Sequence, residues 1–190
     1  MKLCEYMSVW HTEFNMNRAN WKETFMTMAC MMSMRSSDQS TKVGAVVVNQ
    51  NNVVLAMGYN GWCRGTSPWG DDDPRHERPL KYLYTEHAER NAIYNSARQG
   101  TSLENCTIYV SIMPCMDCAR AIVQVGIKHV VVHKDGQDAY NAAYGFDEHR
   151  WTEDHKHAAE LFKEAGVELE WWSGKLIQPT ATFNKQEICL

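Results

Sequence analysis

A histidine, a glutamate and two cysteines have the spacing that zinc chemistry requires. The first pair lies in His87-Ala88-Glu89, and the second pair, Cys115 and Cys118, follows Pro114. Cysteines at positions i and i+3 of the first turn of a helix share one face, and the partial positive charge of the helix N-terminus lowers the pKa of such thiols. The spacing therefore predicts two thiolates that are ready to bind a metal ion.

Adding His87 to the two cysteines gives three ligands of the nitrogen and sulfur type that zinc prefers. Three protein ligands leave one coordination position open for water, which is typical of a catalytic site. Glu89 lies where a carboxylate can take a proton from a metal-activated water and pass it to a substrate. The set matches the H-x-E…P-C-x-x-C pattern of zinc-dependent nucleobase deaminases.

Each of these residues also has a simpler explanation when it is taken alone. Cys115 and Cys118 could be a redox dithiol, or half of a structural zinc ribbon, but a ribbon needs a second C-x-x-C pair that the sequence lacks. His87 could cap a helix, and Glu89 could be a solvated helix acid. The joint pattern favours zinc on the histidine and the two cysteines, with Glu89 as acid and base.

The composition is that of an average globular domain. The chain has 190 residues, 44% hydrophobic and 22% charged, and 19 Lys and Arg against 23 Asp and Glu give a net charge of −4. This excludes a disordered or fibrous protein, and it argues against a polyanion-binding surface, so nucleic acid is not an expected partner. One domain with a real hydrophobic core is expected.

A cytoplasmic location without membrane contact is also expected. No apolar run approaches the roughly 18 to 20 residues that cross a bilayer, and the first residues contain no apolar core of a secretory signal. The seven cysteines are odd in number and unevenly spaced, which is typical of reduced thiols rather than of a disulfide framework.

Hydrophobic periodicity predicts the elements that position the site. Helices are expected over 21–34, 85–98, 115–125 and 152–165, and strands are expected to begin at Val43, Val53, Cys106, His129 and Val167. A strand, helix and strand in succession indicate a parallel crossover. The predicted fold class is α/β, with three α/β/α layers around a mixed sheet of about five strands.

The remaining segments are predicted to be less regular. The stretch 60–79 is rich in Gly, Pro and Asp and is expected to be a long loop. Its Cys63, His76 and the acids at 71–73 match no standard metal-ligand spacing, so a solvated loop is expected. Residues 1–20 are predicted as an N-terminal extension, 21–172 as the catalytic domain and 173–190 as a C-terminal tail, with His155 at the surface of the last helix.

Over 21–172 the sequence resembles the deoxycytidylate (dCMP) deaminase family of the cytidine deaminase superfamily. The resemblance is carried by five segments: WKETFMTMAC with RSSDQSTKVGAVVVN, GYNGWCRG, HAERNAI, PCMDCARAIVQVGIKHVVV and AGVELE. The HAE and PCxxC pieces are shared by the whole superfamily, and GYNG after VGAVVV narrows the match. The resemblance implies a cytidine deaminase-like fold that hydrolyses dCMP to dUMP and ammonia and feeds thymidylate synthesis.

The resemblance also implies substrate contacts. It assigns the sugar to Asn60 and the pyrimidine to the backbones of Ala88 and Ser111. The family usually has Lys or Arg where this chain has Ser37, so the phosphate contact is assigned to the flanking Arg35 and Lys42. An apparent insertion at 138–151 stands where the family has a substrate-facing tyrosine. Three aromatic residues there are alternatives for covering the base: Tyr140, Tyr144 and Trp151.

Regulation is implied by the same resemblance. It indicates a homo-oligomer, hexameric as in the family, with dCTP as activator, dTTP as inhibitor and Mg²⁺ accompanying the allosteric nucleotide. That nucleotide is expected near Gly61 and Arg64, where Cys63 replaces the family's proline. Two other functions stay open: a deaminase of the same fold acting on 5-substituted dCMP, a nucleoside or RNA, and a non-catalytic zinc-stabilised binding module, against which Glu89 argues.

Overall fold

A computed structural model describes residues 18–66, 70–144, 149–178, 180–183 and 186–189. The helices are α1 (Trp21–Ser33), α2 (Lys81–Tyr84), α3 (Ala88–Gln99), α4 (Met116–Gln124), α5 (Lys134–Tyr144) and α6 (His149–Glu164). The strands are β1 (Gly44–Val48), β2 (Val54–Tyr59), β3 (Gly61–Trp62), β4 (Thr85–Glu86), β5 (Thr107–Val110), β6 (His129–His133), β7 (Glu168–Trp172), β8 (Thr180–Phe183) and β9 (Gln186–Cys189).

The centre of the fold is a mixed five-stranded sheet with the order β2-β1-β5-β6-β7. β1 pairs antiparallel with both β2 and β5, whereas β5, β6 and β7 run parallel. The crossover from β5 to β6 contains α4, as the alternation of strand and helix predicts. The predicted α/β class with a mixed sheet of five strands is confirmed.

Helices cover both faces of this sheet because its central strands are apolar on both sides. On one face α1 packs against alternate strand residues, which include Val46, Tyr109 and Val131. On the other face α3, α4 and α6 pack against Val47, Ile108 and Val132. Successive side chains of each strand therefore point to opposite faces and pack into two separate cores. The sheet and its two helix layers form a three-layer fold.

The structure departs from the predicted elements in several places. The helix predicted from residue 85 begins at Ala88, because 85–86 form the short strand β4. β4 pairs with β3, a strand that lies inside the predicted loop 60–79. The predicted tail 173–190 contains an antiparallel pair, β8 and β9. The sequence does not predict α5, since Gly136 in its first turn is unfavourable for a helix. Most of the predicted N-terminal extension lies outside the described residues.

Among the described helices, none combines the length and the apolar character that a bilayer crossing needs.

Candidate active site

Two helix N-termini bring the predicted metal ligands together. His87 is the N-cap of α3, Cys115 is the N-cap of α4, and Cys118 lies in the first turn of α4. The Nδ1 atom of His87 lies 3.4 Å from Sγ of Cys115 and 3.5 Å from Sγ of Cys118. The N-terminal turns therefore place one nitrogen and two sulfur atoms around one point.

These distances test whether the three residues fit a zinc ion. Tetrahedral zinc with bonds of about 2.0 Å to nitrogen and about 2.3 Å to sulfur separates the two ligand atoms by roughly 3.5 Å. The observed separations agree with that value. Hydrogen bonds with Cys118 and His87 lower the pKa of Cys115, whereas the hydrogen bond with Cys115 and burial raise the pKa of Cys118. One thiol of the pair is therefore prepared to lose its proton, and binding of a metal ion releases the proton of the other. On this chemistry and on the distances the set fits zinc.

Glu89 lies beside this set in the first turn of α3. Its side chain is almost completely buried, with 3% exposed. Burial raises the pKa of Glu89, although the nearby charge of His87 acts to lower it. A carboxyl group with a raised pKa takes up a proton more readily than an ordinary glutamate, which favours its use as a general base that then acts as an acid.

An open cavity leads to these residues. The wall is formed by Asp38, Thr41, Val43, Asn60, Arg78, Lys81, Tyr82, Thr85, His87, Ala88, Glu89, Ile112, Met113, Cys115, Tyr140 and His155. Apolar and polar side chains thus surround a space that borders His87, Cys115 and Glu89.

Comparison with known proteins assigns the chain to a family. The model of the cytidine and deoxycytidylate deaminase zinc-binding region matches residues 19–134. The chain belongs to this deaminase family. Its zinc-binding character agrees with the His-Cys-Cys set found in the structure.

Individual relatives of this deaminase cover most of its length. An uncharacterized deaminase of the luxG 3′ region of Aliivibrio fischeri is 38% identical over 153 residues, 80% of this chain and 94% of the relative. Deoxycytidylate deaminase of Mus musculus is 35% identical over 168 residues, 86% of each chain. A crystal structure of dCMP deaminase from cyanophage S-TIM5, in complex with dCMP and dUMP, is 28% identical with a TM-score of 0.60, covering 80% of this chain and 96% of that one.

The structure brings some of the expected substrate residues to the cavity of the deaminase. Asn60, Ala88 and Tyr140 line it. Ser111 is not in the wall: its Oγ accepts from the N–H of Gly44 at 3.1 Å, and the next two residues line the cavity instead. The side chains of Tyr144 and Trp151 lie outside the described part of the structure.

The Asn60 side chain is already engaged by the chain itself. Its Oδ1 accepts from the N–H of Val43 at 2.7 Å, and its Nδ2 donates to the carbonyl of Thr41 at 2.8 Å. These bonds hold the segment before β1 against the end of β2. A contact of Asn60 with the sugar stays a prediction.

The cations of the cavity differ from those that the sequence predicts. Arg35 and Lys42 are exposed and do not line the cavity. Arg78 and Lys81 line it, and the Nε of Arg78 donates to Tyr82 Oη at 2.8 Å. In the sequence, both residues lie shortly before the HAE motif. That proximity is the one signal that could indicate a place in the site, and no spacing pattern distinguishes them from other cations of the chain.

Lys81 is buried together with Asp38. Its Nζ lies 2.9 Å from Oδ2 of Asp38 and donates to Oγ of Ser40 at 2.6 Å. Burial acts to raise the pKa of Asp38, but hydrogen bonds from Lys81, Thr41 and Ser40 together hold that pKa below its ordinary value. The pair ties the segment before β1 to α2 across one side of the cavity.

Asp38→Asn is expected to destabilise the protein by about 3 kcal/mol, because it leaves Lys81 buried without a counter-charge. Asp138→Asn, in an exposed pair with Lys134, is the control and should cost far less. Because the pKa of Asp38 is lowered in the folded state, its contribution is present above the ordinary aspartate pKa of about 3.9 and is lost as the pH falls through the lower folded value. Urea unfolding of the three proteins across acidic pH measures both effects, and an equal loss in the two variants would contradict the assignment.

Another group of metal-ligand residue types lies at the edge of the sheet. His129, Glu168 and Glu170 have ligand atoms close together. However, both oxygens of Glu170 accept from the ammonium of Lys22, one of them at 2.8 Å. Lys22 already balances the charge of the Glu170 carboxylate, so the closeness of these side chains does not require a metal ion. Within the described residues, Cys63, His76 and the acids at 71–73 form no such group.

His155 is a wall residue that sequence reasoning missed. It was expected at the surface, yet it lines the cavity near Cys115. Burial lowers the pKa of His155, which favours its neutral form. The preceding Asp154 accepts from the N–H of Met116 at 2.7 Å and so caps the helix that carries the cysteines. α6 therefore supports the metal set.

Proposed function

We propose that this deaminase hydrolyses dCMP to dUMP and ammonia, and that the product feeds dTTP synthesis. The observation that carries the proposal is the set of His87, Cys115 and Cys118 beside the buried Glu89 in one cavity. The Mus musculus relative is a deoxycytidylate deaminase, and the cyanophage structure holds dCMP and dUMP. A binding module without catalysis has no use for Glu89.

The residues divide the reaction between them. His87, Cys115 and Cys118 would hold zinc, which when bound would supply the Lewis acid that makes water nucleophilic near neutral pH. Glu89 takes a proton from the water that attacks C4 and delivers it to N3. It then moves a second proton from the new hydroxyl to the amino group, and the C4–N4 bond breaks to release ammonia. The cavity wall orients the base for these transfers.

Ammonia release from a panel of cytosine compounds tests this function. Purified zinc-loaded protein is assayed with dCMP, 5-methyl-dCMP, deoxycytidine, cytidine and a cytosine-containing RNA. We expect dCMP to give the highest kcat/KM. A higher value for 5-methyl-dCMP, a nucleoside or RNA would select one of the alternative deaminases, and no release from any compound would favour the binding module.

We assign the phosphate contact to Arg78, with Arg35 and Lys42 as the sequence-based alternatives. Arg78 is the exposed guanidinium of the cavity wall, whereas the charge of Lys81 is balanced by Asp38. A guanidinium offers two parallel N–H donors to a phosphate. Of the three aromatic alternatives for the base contact we choose Tyr140, and we keep the backbone of Ala88, since both residues line the cavity.

Arg78→Ala is expected to lower kcat/KM for dCMP by about 10- to 100-fold, because a charged hydrogen bond contributes about 1.5 to 3 kcal/mol. The value for deoxycytidine should change little, since it has no phosphate. Arg35→Ala and Lys42→Ala are the matched variants, assayed with both substrates. If either of them lowered kcat/KM for dCMP alone and Arg78→Ala did not, the phosphate contact would belong to the segment before β1.

We further propose a cytoplasmic homo-oligomer, hexameric as in the family, that dCTP activates and dTTP inhibits with Mg²⁺. The nucleotide would bind near Gly61 and Arg64, beside β3. There the guanidinium of Arg64 donates to Oδ1 of Asn95 at 2.7 Å. Assays with each nucleotide, with and without Mg²⁺, combined with sedimentation, test this regulation: unchanged rates and a monomer would contradict it.

A further inference from the structure

The helix α5 lies directly against the connection that leads from β5 to the cysteines. Gly136 makes this approach possible: a Cβ atom there would lie 2.6 Å from the carbonyl oxygen of Ser111 and 2.9 Å from Nδ1 of His133. The first turn of α5 is also tied to the end of β7, because Ser173 donates to Asp135 at 2.9 Å. The position of α5 relative to the sheet is therefore fixed at its start.

Gln137, the next residue, joins α5 to the cavity wall. Its side chain is 5% exposed, and its Oε1 accepts from the backbone N–H of Met113 at 2.9 Å. An N–H can donate only to the oxygen, so the amide orientation is determined, and Nε2 donates to Oδ1 of Asn141 at 2.8 Å. Both ends of the buried amide are satisfied.

This bond links two parts of the wall that face the same space. Ile112 and Met113 line the cavity just before Cys115, and Tyr140 lines it from α5, one turn after Gln137. We propose that Gln137 is a positioning residue for the pyrimidine: it fixes the 112–113 wall relative to the Tyr140 ring and so sets the width of the base site. This role rests on the proposed function. The contact is not visible in the sequence, where Gln137 is one polar residue among many.

Gln137→Met keeps the size of the side chain but offers no acceptor to the N–H of Met113. We expect it to raise KM about tenfold, since a buried donor loses its bond, with kcat changed much less. Such a split is typical of binding that substrate and transition state share. Because dCMP and deoxycytidine have the same base, their KM values should rise by the same factor, unlike in Arg78→Ala.

Gln137→Glu is the rescue variant, because its carboxylate still accepts from Met113, and Asn141 can donate to it after an amide flip. Its KM should stay within about threefold of wild type. Asp138→Asn, on the exposed side of the same helix, is the control and should leave KM unchanged. A destabilised fold would lower the active fraction, and hence kcat, rather than raise KM.

The outcomes separate this inference from the proposed function. An unchanged KM in Gln137→Met, or a KM in Gln137→Glu raised as much as in Gln137→Met, would overturn the positioning role while dCMP turnover by the wild type stands. If Gln137→Met does not fold, the Gln137→Glu value decides, and a tenfold rise overturns the role. Absence of dCMP turnover by the wild type would overturn the proposed function and this inference together.

Discussion

Glu89→Gln should lower kcat for dCMP by about 10⁴-fold or more, because one group serves several proton transfers and a single general acid or base contributes about 10² to 10⁴. The amide keeps the size and one oxygen but cannot carry the proton. Zinc content should stay at the wild-type value, since Glu89 is not in the ligand set. KM should change little, because the substitution keeps the size of this wall residue and leaves Arg78 and Tyr140 in place.

The matched control is Glu86→Gln. Glu86 precedes the same helix, accepts from the N–H of His87 at 2.9 Å and pairs with Arg90. It does not line the cavity, and an amide at this position removes a nearby charge while keeping an oxygen that accepts from His87. We expect less than a tenfold change in kcat, well below a proton-transfer effect. If Glu89→Gln kept more than about a tenth of wild-type kcat, another base would have to carry the protons.

Cys115→Ala should leave the chain without zinc and without measurable turnover. Removing one of three ligands takes away a thiolate bond and opens the site to water. After dialysis against a chelator, elemental analysis should find one zinc per wild-type chain and close to none in the variant. The ammonia assay should find activity in the wild type alone.

Two other cysteine variants control for loss of a thiol in general. Cys63→Ala removes an exposed thiol, and Cys30→Ala removes a half-buried one on α1. Neither residue lies in the cavity wall, so zinc content should stay at the wild-type value in both. One zinc per chain and normal kcat in Cys115→Ala would overturn the ligand assignment, whatever the zinc content of Cys63→Ala and Cys30→Ala.

The zinc set could be predicted because each of its two halves is a short sequence motif. The i and i+3 spacing of Cys115 and Cys118 gives one helix face, and His87 and Glu89 occupy the start of another helix. The fold class was also accessible, because apolar runs such as 44–48 are buried on both sides and demand a helix layer on each face. Residue spacing over a few positions therefore indicates both the ligand set and the fold class.

The substrate-facing wall was decided by tertiary structure. Lys81 meets Asp38 across 43 residues of sequence, so no local pattern could show that its charge is balanced. Arg35 and Lys42 satisfied the charge requirement in sequence, but their side chains lie outside the cavity that Arg78 borders. A cation can become a phosphate ligand only if its position brings it to the cavity, and that position depends on which loops pack together.

The helix α5 shows the same limit. Gly136 is unfavourable in a helix taken by itself, but the close approach to Ser111 requires it, and that approach places Gln137 and Tyr140. Local propensity and tertiary packing therefore give opposite answers for this segment, and packing prevails. The sequence determined the metal chemistry and the layers of the protein, and the packing of distant segments determined the shape and charge of the site around them.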